Sequence, residues 1–221
     1  MGEGLSHWSS MVLRKSQTCF SDRHTHPNSM YSNFCHVLNL SVKIYRSIVK
    51  SYFHEIVKYH PAGYKDRIYT FDDWTSISDI GKIFRTGILS ADDYIKVEDS
   101  YVNTILTVMS ETDCHYLTIE YVEAYDDEIV KRMKEYKQRY NIPVLDPIPN
   151  LKKGKEVSKN EAAVLFRLCL RELCYIKFSC KSKKLKIEFG YDYYLYIKCL
   201  IGKERLNQIV SENHLYLDPR G

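Results

Sequence analysis

Two short stretches near the C-terminus alternate apolar and polar residues so strictly that they can only serve as strands of a half-buried sheet. Leu185, Ile187 and Phe189 alternate with Lys184, Lys186 and Glu188, and just before them Ile176, Phe178 and Cys180 alternate with polar positions. Successive side chains of a strand point to opposite faces, so the apolar set meets a core and the charged set meets water. A helix would scatter the same residues around its axis. In a third run, Tyr193, Leu195, Ile197 and Cys199 face one way and Tyr194, Tyr196 and Lys198 the other, which completes an antiparallel meander over 174–199. Gly190, Tyr191 and Asp192 form either a hairpin turn or a bulge in a longer strand, and periodicity does not separate the two.

The rest of the chain supplies elements to cover one face of that sheet. From Leu40 to Tyr59, Ile44, Tyr45, Ile48, Val49, Tyr52, Phe53 and Ile56 recur at three- and four-residue steps, which predicts an amphipathic helix stopped by Pro61 and Gly63. Arg67 to Phe71 reads as a short strand. Ser78 to Phe84 reads as a short helix capped by Ser78 or Asp79 and ended by Gly87. Ser90 lies three residues before Asp93 and opens a helix with a stripe of Tyr94, Val97, Tyr101, Ile105 and Val108. Tyr116 to Val122 has strand composition, and Asp126 caps a helix with Ile129, Met133, Tyr136 and Tyr140 on one face. Ser158 and Glu161 form a capping box before an apolar helix reaching Leu173, and a last helix runs from Lys203 to Val210. The expected class is α+β: helices packed on one face of a mostly antiparallel sheet with a C-terminal β-meander.

A chain of 221 residues fits one substantial core. Residues 1–35 lack apolar periodicity and are expected to be a flexible N-terminal arm or extension, with Met30 an alternative start. Residues 36–221 are expected to form a single α+β domain, with the proline-rich loop 141–150 inside it. Gly2 and Ser6 match the loose N-myristoylation pattern, in which the acidic Glu3 sits poorly. No apolar run has the length of a secretory signal or a membrane span, so the expected location is cytoplasmic, with no membrane partner. Seven cysteines at irregular spacings, without C-x-x-C, argue against a disulfide framework or a zinc ribbon. Cys169 and Cys174, five apart on or near one helix, are expected on different faces and in the core.

A net charge of +4 conceals strong segregation. Asp72 to Glu128 holds fourteen Asp and Glu against three Lys and Arg, a balance of −11, whereas Lys131 to Lys186 holds sixteen basic against five acidic residues, a balance of +11. One explanation is that the two halves complement each other across the fold, with acids at helix starts. The other is a face that captures a basic protein, built from Asp72, Asp73, Trp74, Glu120, Glu123, Asp126 and Asp127 with the outward tyrosines Tyr194 and Tyr196. Nineteen tyrosines suit such half-buried contact surfaces. The basic stretch Lys152 to Lys159 lacks interleaved aromatics and any module signature, so a nucleic-acid partner is not expected.

No P-loop, G-x-G-x-x-G, G-x-S-x-G or H-E-x-x-H occurs. His24 and His26 lack a second ligand pair at zinc spacing, so neither a metal nor a cofactor is expected. The expectation is therefore a non-catalytic binding protein of unknown oligomeric state. The alternative is a small enzyme such as a nuclease, using His115 with Glu120 or Glu123 as acid and base.

Two segments, Lys186 to Ile197 (KIEFGYDYYLYI) and Phe71 to Gly81 (FDDWTSISDIG), resemble parts of bacterial immunity proteins that neutralise polymorphic toxins, including those of contact-dependent growth inhibition. That resemblance implies a cytoplasmic protein that binds one cognate toxin domain, expected to be basic and nuclease-like, and blocks it.

Overall fold

The computed structural model describes residues 52–220. The expected arm over 1–35, the Gly2 pattern, the His24 and His26 pair and the first part of the Leu40–Tyr59 segment lie outside the described residues.

A seven-stranded antiparallel sheet organises the described chain. Its strands are β1 (Tyr52–Val57), β6 (Tyr116–Glu123), β7 (Glu156–Ser158), β8 (Tyr175–Cys180), β9 (Leu185–Phe189), β10 (Leu195–Cys199) and β11 (Tyr216–Leu217). They lie in the order β11-β1-β10-β9-β8-β6-β7. Two small hairpins stand apart from it, one of β2 (Tyr64–Lys65) with β3 (Ile68–Tyr69) and one of β4 (Ile83–Phe84) with β5 (Gly87–Ile88). The helices among the described residues are α1 (Ala91–Glu111), α2 (Asp126–Tyr140), α3 (Lys159–Leu170) and α4 (Lys203–Glu212). The α+β class, with the β8-β9-β10 meander at the centre of the sheet, is as the alternation predicts.

The inner face of the sheet carries Ile119, Phe178, Ile187 and Ile197, all at most 1% exposed. They join Tyr101, Ile105, Leu165, Phe166, Leu206 and Ile209 from the helices in one apolar cluster. Ile129 and Met133 of α2 enter the same cluster. The opposite face is ruled by register. Tyr121 lies opposite Lys177, Lys177 opposite Glu188, Glu188 opposite Tyr196, and Tyr196 opposite Glu55. Directly opposed side chains on one face interact, so this polar and aromatic row is the solvent side of the sheet.

Local capping matches the sequence where side chains dictate it. Ser90 Oγ accepts the Asp93 N–H at 3.0 Å at the start of α1. Ser158 and Glu161 close a complete capping box at the start of α3. Tyr125, rather than Asp126, takes the N-cap position of α2, with Asp126, Asp127 and Glu128 in its first turn.

Two expectations are corrected. Residues 52–57 form a strand and not the end of a helix. The segment YFHEIV is rich in β-favouring residues, and it pairs with β10 from Tyr52↔Cys199 to Ile56↔Leu195. Residues 78–84 do not form an α-helix. A single 3-10 turn spans Ile77–Asp79, where the Asp79 carboxylate accepts the Thr75 and Ser76 N–H groups, and the chain then enters the β4-β5 hairpin.

Gly190 belongs to a turn and not a bulge. Its N–H donates to the Tyr194 carbonyl at 2.7 Å, enclosing Tyr191, Asp192 and Tyr193, and the last two hold φ of 53° and 61°. The Tyr196 ring packs over the glycine, where an added Cβ would meet Cε2 at 2.7 Å. Any side chain at this position would require the Tyr196 ring to move aside.

Candidate functional site

Part of the charge segregation is resolved within the fold. Glu98, fully buried on α1, receives Arg171 Nε and Arg167 Nη1 at 2.7 Å each, and Arg171 Nη1 also donates to the Pro143 carbonyl at 2.7 Å. Arg167 reaches Asp99 as well. Lys183 meets Asp113 at 2.8 Å and Lys186 meets Glu120 at 3.4 Å. Each of these pairs joins the acidic segment to the basic one. Removing two charges from water is costly, so Glu98 is tolerable at zero exposure only because two guanidinium groups satisfy both carboxylate oxygens.

The nine residues expected to form a partner face are not gathered into one surface. Trp74 is 7% exposed, and its ring meets Tyr94 and Tyr193 at centroid distances of 5.5 and 4.9 Å. The Lys58 ammonium sits 4.1 Å from it and pairs with Asp73 at 2.8 Å. Burial lowers the Lys58 pKa, and the Asp73 carboxylate opposes that shift. Trp74 is a core residue and cannot anchor an external partner as it stands. Asp72 is exposed beside it. Glu120 is the extra residue at a register shift of β6 and is engaged by Lys186. Tyr194 and Tyr196 are half-buried and stack at 6.5 Å, and the Tyr194 hydroxyl accepts from Arg220 at 2.7 Å.

Glu123, Asp126 and Asp127 fall elsewhere, where β6 gives way to α2. Here lies a cleft of about 610 Å³. Its walls are Glu123 to Tyr125 and Glu128 of the β6-α2 junction, Cys169 of α3 and the segment Glu172 to Tyr175 that leads into β8, and Glu188 to Tyr191 from the end of β9 into the turn. The sequence periodicity could not reveal it, because it is assembled from three chain reversals. Tyr125 and Tyr191 stand on it at 72% and 89% exposure.

The cleft is acidic. Glu123, Glu128, Glu172 and Glu188 line it against the single guanidinium of Arg132. That guanidinium is committed to neutral acceptors, donating to the Glu172 carbonyl at 3.0 Å and to the Tyr136 hydroxyl. Glu188 is held by Lys177 at 2.9 Å and by the Tyr175 hydroxyl. Burial, reinforced by Glu188, pushes the Tyr175 phenol up to about 12, so it remains a neutral donor. Partial burial raises the Glu172 carboxyl above its usual range, and Arg132 pulls it the other way. The cleft therefore offers carboxylates in excess of cations, framed by rings with hydroxyl tips, an arrangement that suits a lysine or arginine side chain.

His115 does not join a catalytic pair. It is exposed and meets Asp113 at 3.0 Å. A strand rises about 3.3 Å per residue, which sets Glu120 roughly 16 Å and Glu123 roughly 26 Å farther along β6. Among the described residues no three His, Cys, Asp or Glu side chains converge as a metal site, and no helix is long and apolar enough to cross a membrane.

Cys169 lies in the core with Cys174 packed against it, as expected, but the two thiols are not on different faces. Their Sγ atoms lie 3.8 Å apart, because α3 ends at Leu170 and the chain reverses through Glu172 at φ 57°. Comparisons with family models, with curated proteins and with solved structures find no match for this chain.

Proposed function

We propose that this chain is a non-catalytic binding protein that captures a basic protein partner in the acidic, tyrosine-framed cleft, and that the partner is a cognate toxin domain which it neutralises. The observation that carries this reading is the surplus of carboxylates, Glu123, Glu128, Glu172 and Glu188, around one committed arginine. A field of one sign speeds encounter with an opposite one and rejects like-charged competitors. Tyr125 and Tyr191 supply rigid amphipathic area that hides little in the free protein and much once a partner covers it. Asp126 and Asp127, exposed in the first turn of α2 beside the cleft, extend the negative field.

The test is a paired capture. Wild-type protein and a Glu123→Gln/Glu128→Gln/Glu172→Gln variant are immobilised and exposed to one source-cell lysate. A basic protein retained by the wild type alone is then expressed in a host with and without this chain. The reading requires that the captured protein arrests growth and that wild-type chain, but not the variant, restores it. Identical capture by both forms would overturn it.

A further inference from the structure

We propose that Cys169 and Cys174 are a redox modification site, closing a reversible disulfide on the wall of the cleft. Their Sγ atoms are 3.8 Å apart and both are free thiols. A disulfide requires about 2.0 Å, so the sulfurs need to approach by less than about 2 Å. The backbone already supports that approach. The Glu172 N–H donates to the Cys169 carbonyl at 3.0 Å and the Leu173 N–H to the Leu168 carbonyl at 2.9 Å, which folds Cys174 back onto the end of α3. Five residues of uninterrupted helix would have carried the two thiols to different faces.

The two thiols differ in access. Cys174 is half-buried and lines the cleft, which provides a route for a small reagent. Cys169 is 7% exposed, and burial, with Cys174 beside it, holds its thiol in the protonated form well above the usual range. Thiolates are the attacking species, which sets the order of events. Cys174 loses its proton to solvent and attacks one sulfur of a low-molecular-weight disulfide, releasing one small thiol. Cys169 then loses its proton and attacks the Cys174 sulfur, releasing the second. Two protein thiols are oxidised and one small disulfide is reduced to two thiols. The bond would pin the reversal that carries Glu172 into the cleft. Any effect of oxidation on partner capture rests on the binding role proposed above, whereas the bond itself does not.

The chain carries its own assay, because Arg171 lies between the two cysteines. Folded full-length protein is treated with glutathione disulfide, free thiols are alkylated, and the product is digested with trypsin and weighed. Cleavage after Arg167, Arg171 and Lys177 separates the peptide 168–171 from the peptide 172–177 unless sulfur joins them. The expected result is the joined pair, lighter than the sum of the two reduced peptides by two hydrogen atoms and separated again by dithiothreitol. In Cys169→Ser protein, Cys174 should instead stop at the glutathione adduct. Separate alkylated peptides from oxidised wild type, a glutathione adduct persisting on its Cys174, or a bond from either cysteine to Cys114, Cys180 or Cys199 would each overturn the assignment.

Discussion

Trp74 shows how one residue changes meaning between sequence and structure. Flanked by Asp72 and Asp73, it has the local appearance of an exposed anchor, yet it closes the core against Tyr94 and Tyr193 with Lys58 over its ring. Trp74→Ala should therefore act on folding and not on partner release, lowering stability in urea by about 3–5 kcal/mol as large core truncations do. A loss below 1 kcal/mol would place the ring outside the core. Glu98 is the opposite case: it lies on the predicted stripe of α1, four residues after Tyr94 and three before Tyr101, yet nothing local supplies the partners that let a carboxylate be buried there. Its partners Arg167 and Arg171 lie on α3 and its cap, about seventy positions away, so only the fold brings them together. Glu98→Ala should leave the buried Arg171 guanidinium without its counter-ion, while Arg167 keeps Asp99, and lower stability by about 3–5 kcal/mol. Urea unfolding of the variant checks that value.

At the scale of elements, those whose signals are local and redundant were legible. The helix α3 has Ser158 and Glu161 at its start and an apolar body, and β9 has strict alternation; each matches its expectation. β1 departs from its expected helix because Tyr52, Phe53 and Ile56 satisfy a helical spacing while the strand they form is selected by pairing with β10, more than 130 positions later. The cap of α3 yields a pH prediction. The Ser158 N–H and hydroxyl, with Lys155, hold the Glu161 carboxyl down to about 2, well below its value in an unfolded chain. A depressed carboxylate stabilises the fold fully above its unfolded pKa, and that contribution is lost as pH falls through the folded value. The stability gap between wild type and Glu161→Ala should hold constant above about pH 5 and close between about pH 4.5 and 2. A gap that widens on acidification would refute the capping role.

For the whole molecule, the sequence displayed a division of charge without saying how it would be used. Part of it is internal complementarity, carried by Arg167, Arg171, Lys183 and Lys186 against acids of the other half. At the cleft an acidic excess remains, and of its residues the sequence singled out Glu123, with Asp126 and Asp127 beside it. Glu172, Tyr125 and Tyr191 lie outside the predicted site because chain reversals deliver them there, and Glu188, on the wet face of β9, because periodicity does not show what stands opposite it. The central claim is that this residual field draws a basic partner to the cleft, and association kinetics measure it most directly. The rate constant for the captured partner should fall steeply as salt rises, and Glu123→Gln/Glu128→Gln/Glu172→Gln should slow association at low salt and flatten that dependence. Association that is insensitive to both salt and these substitutions would contradict the account.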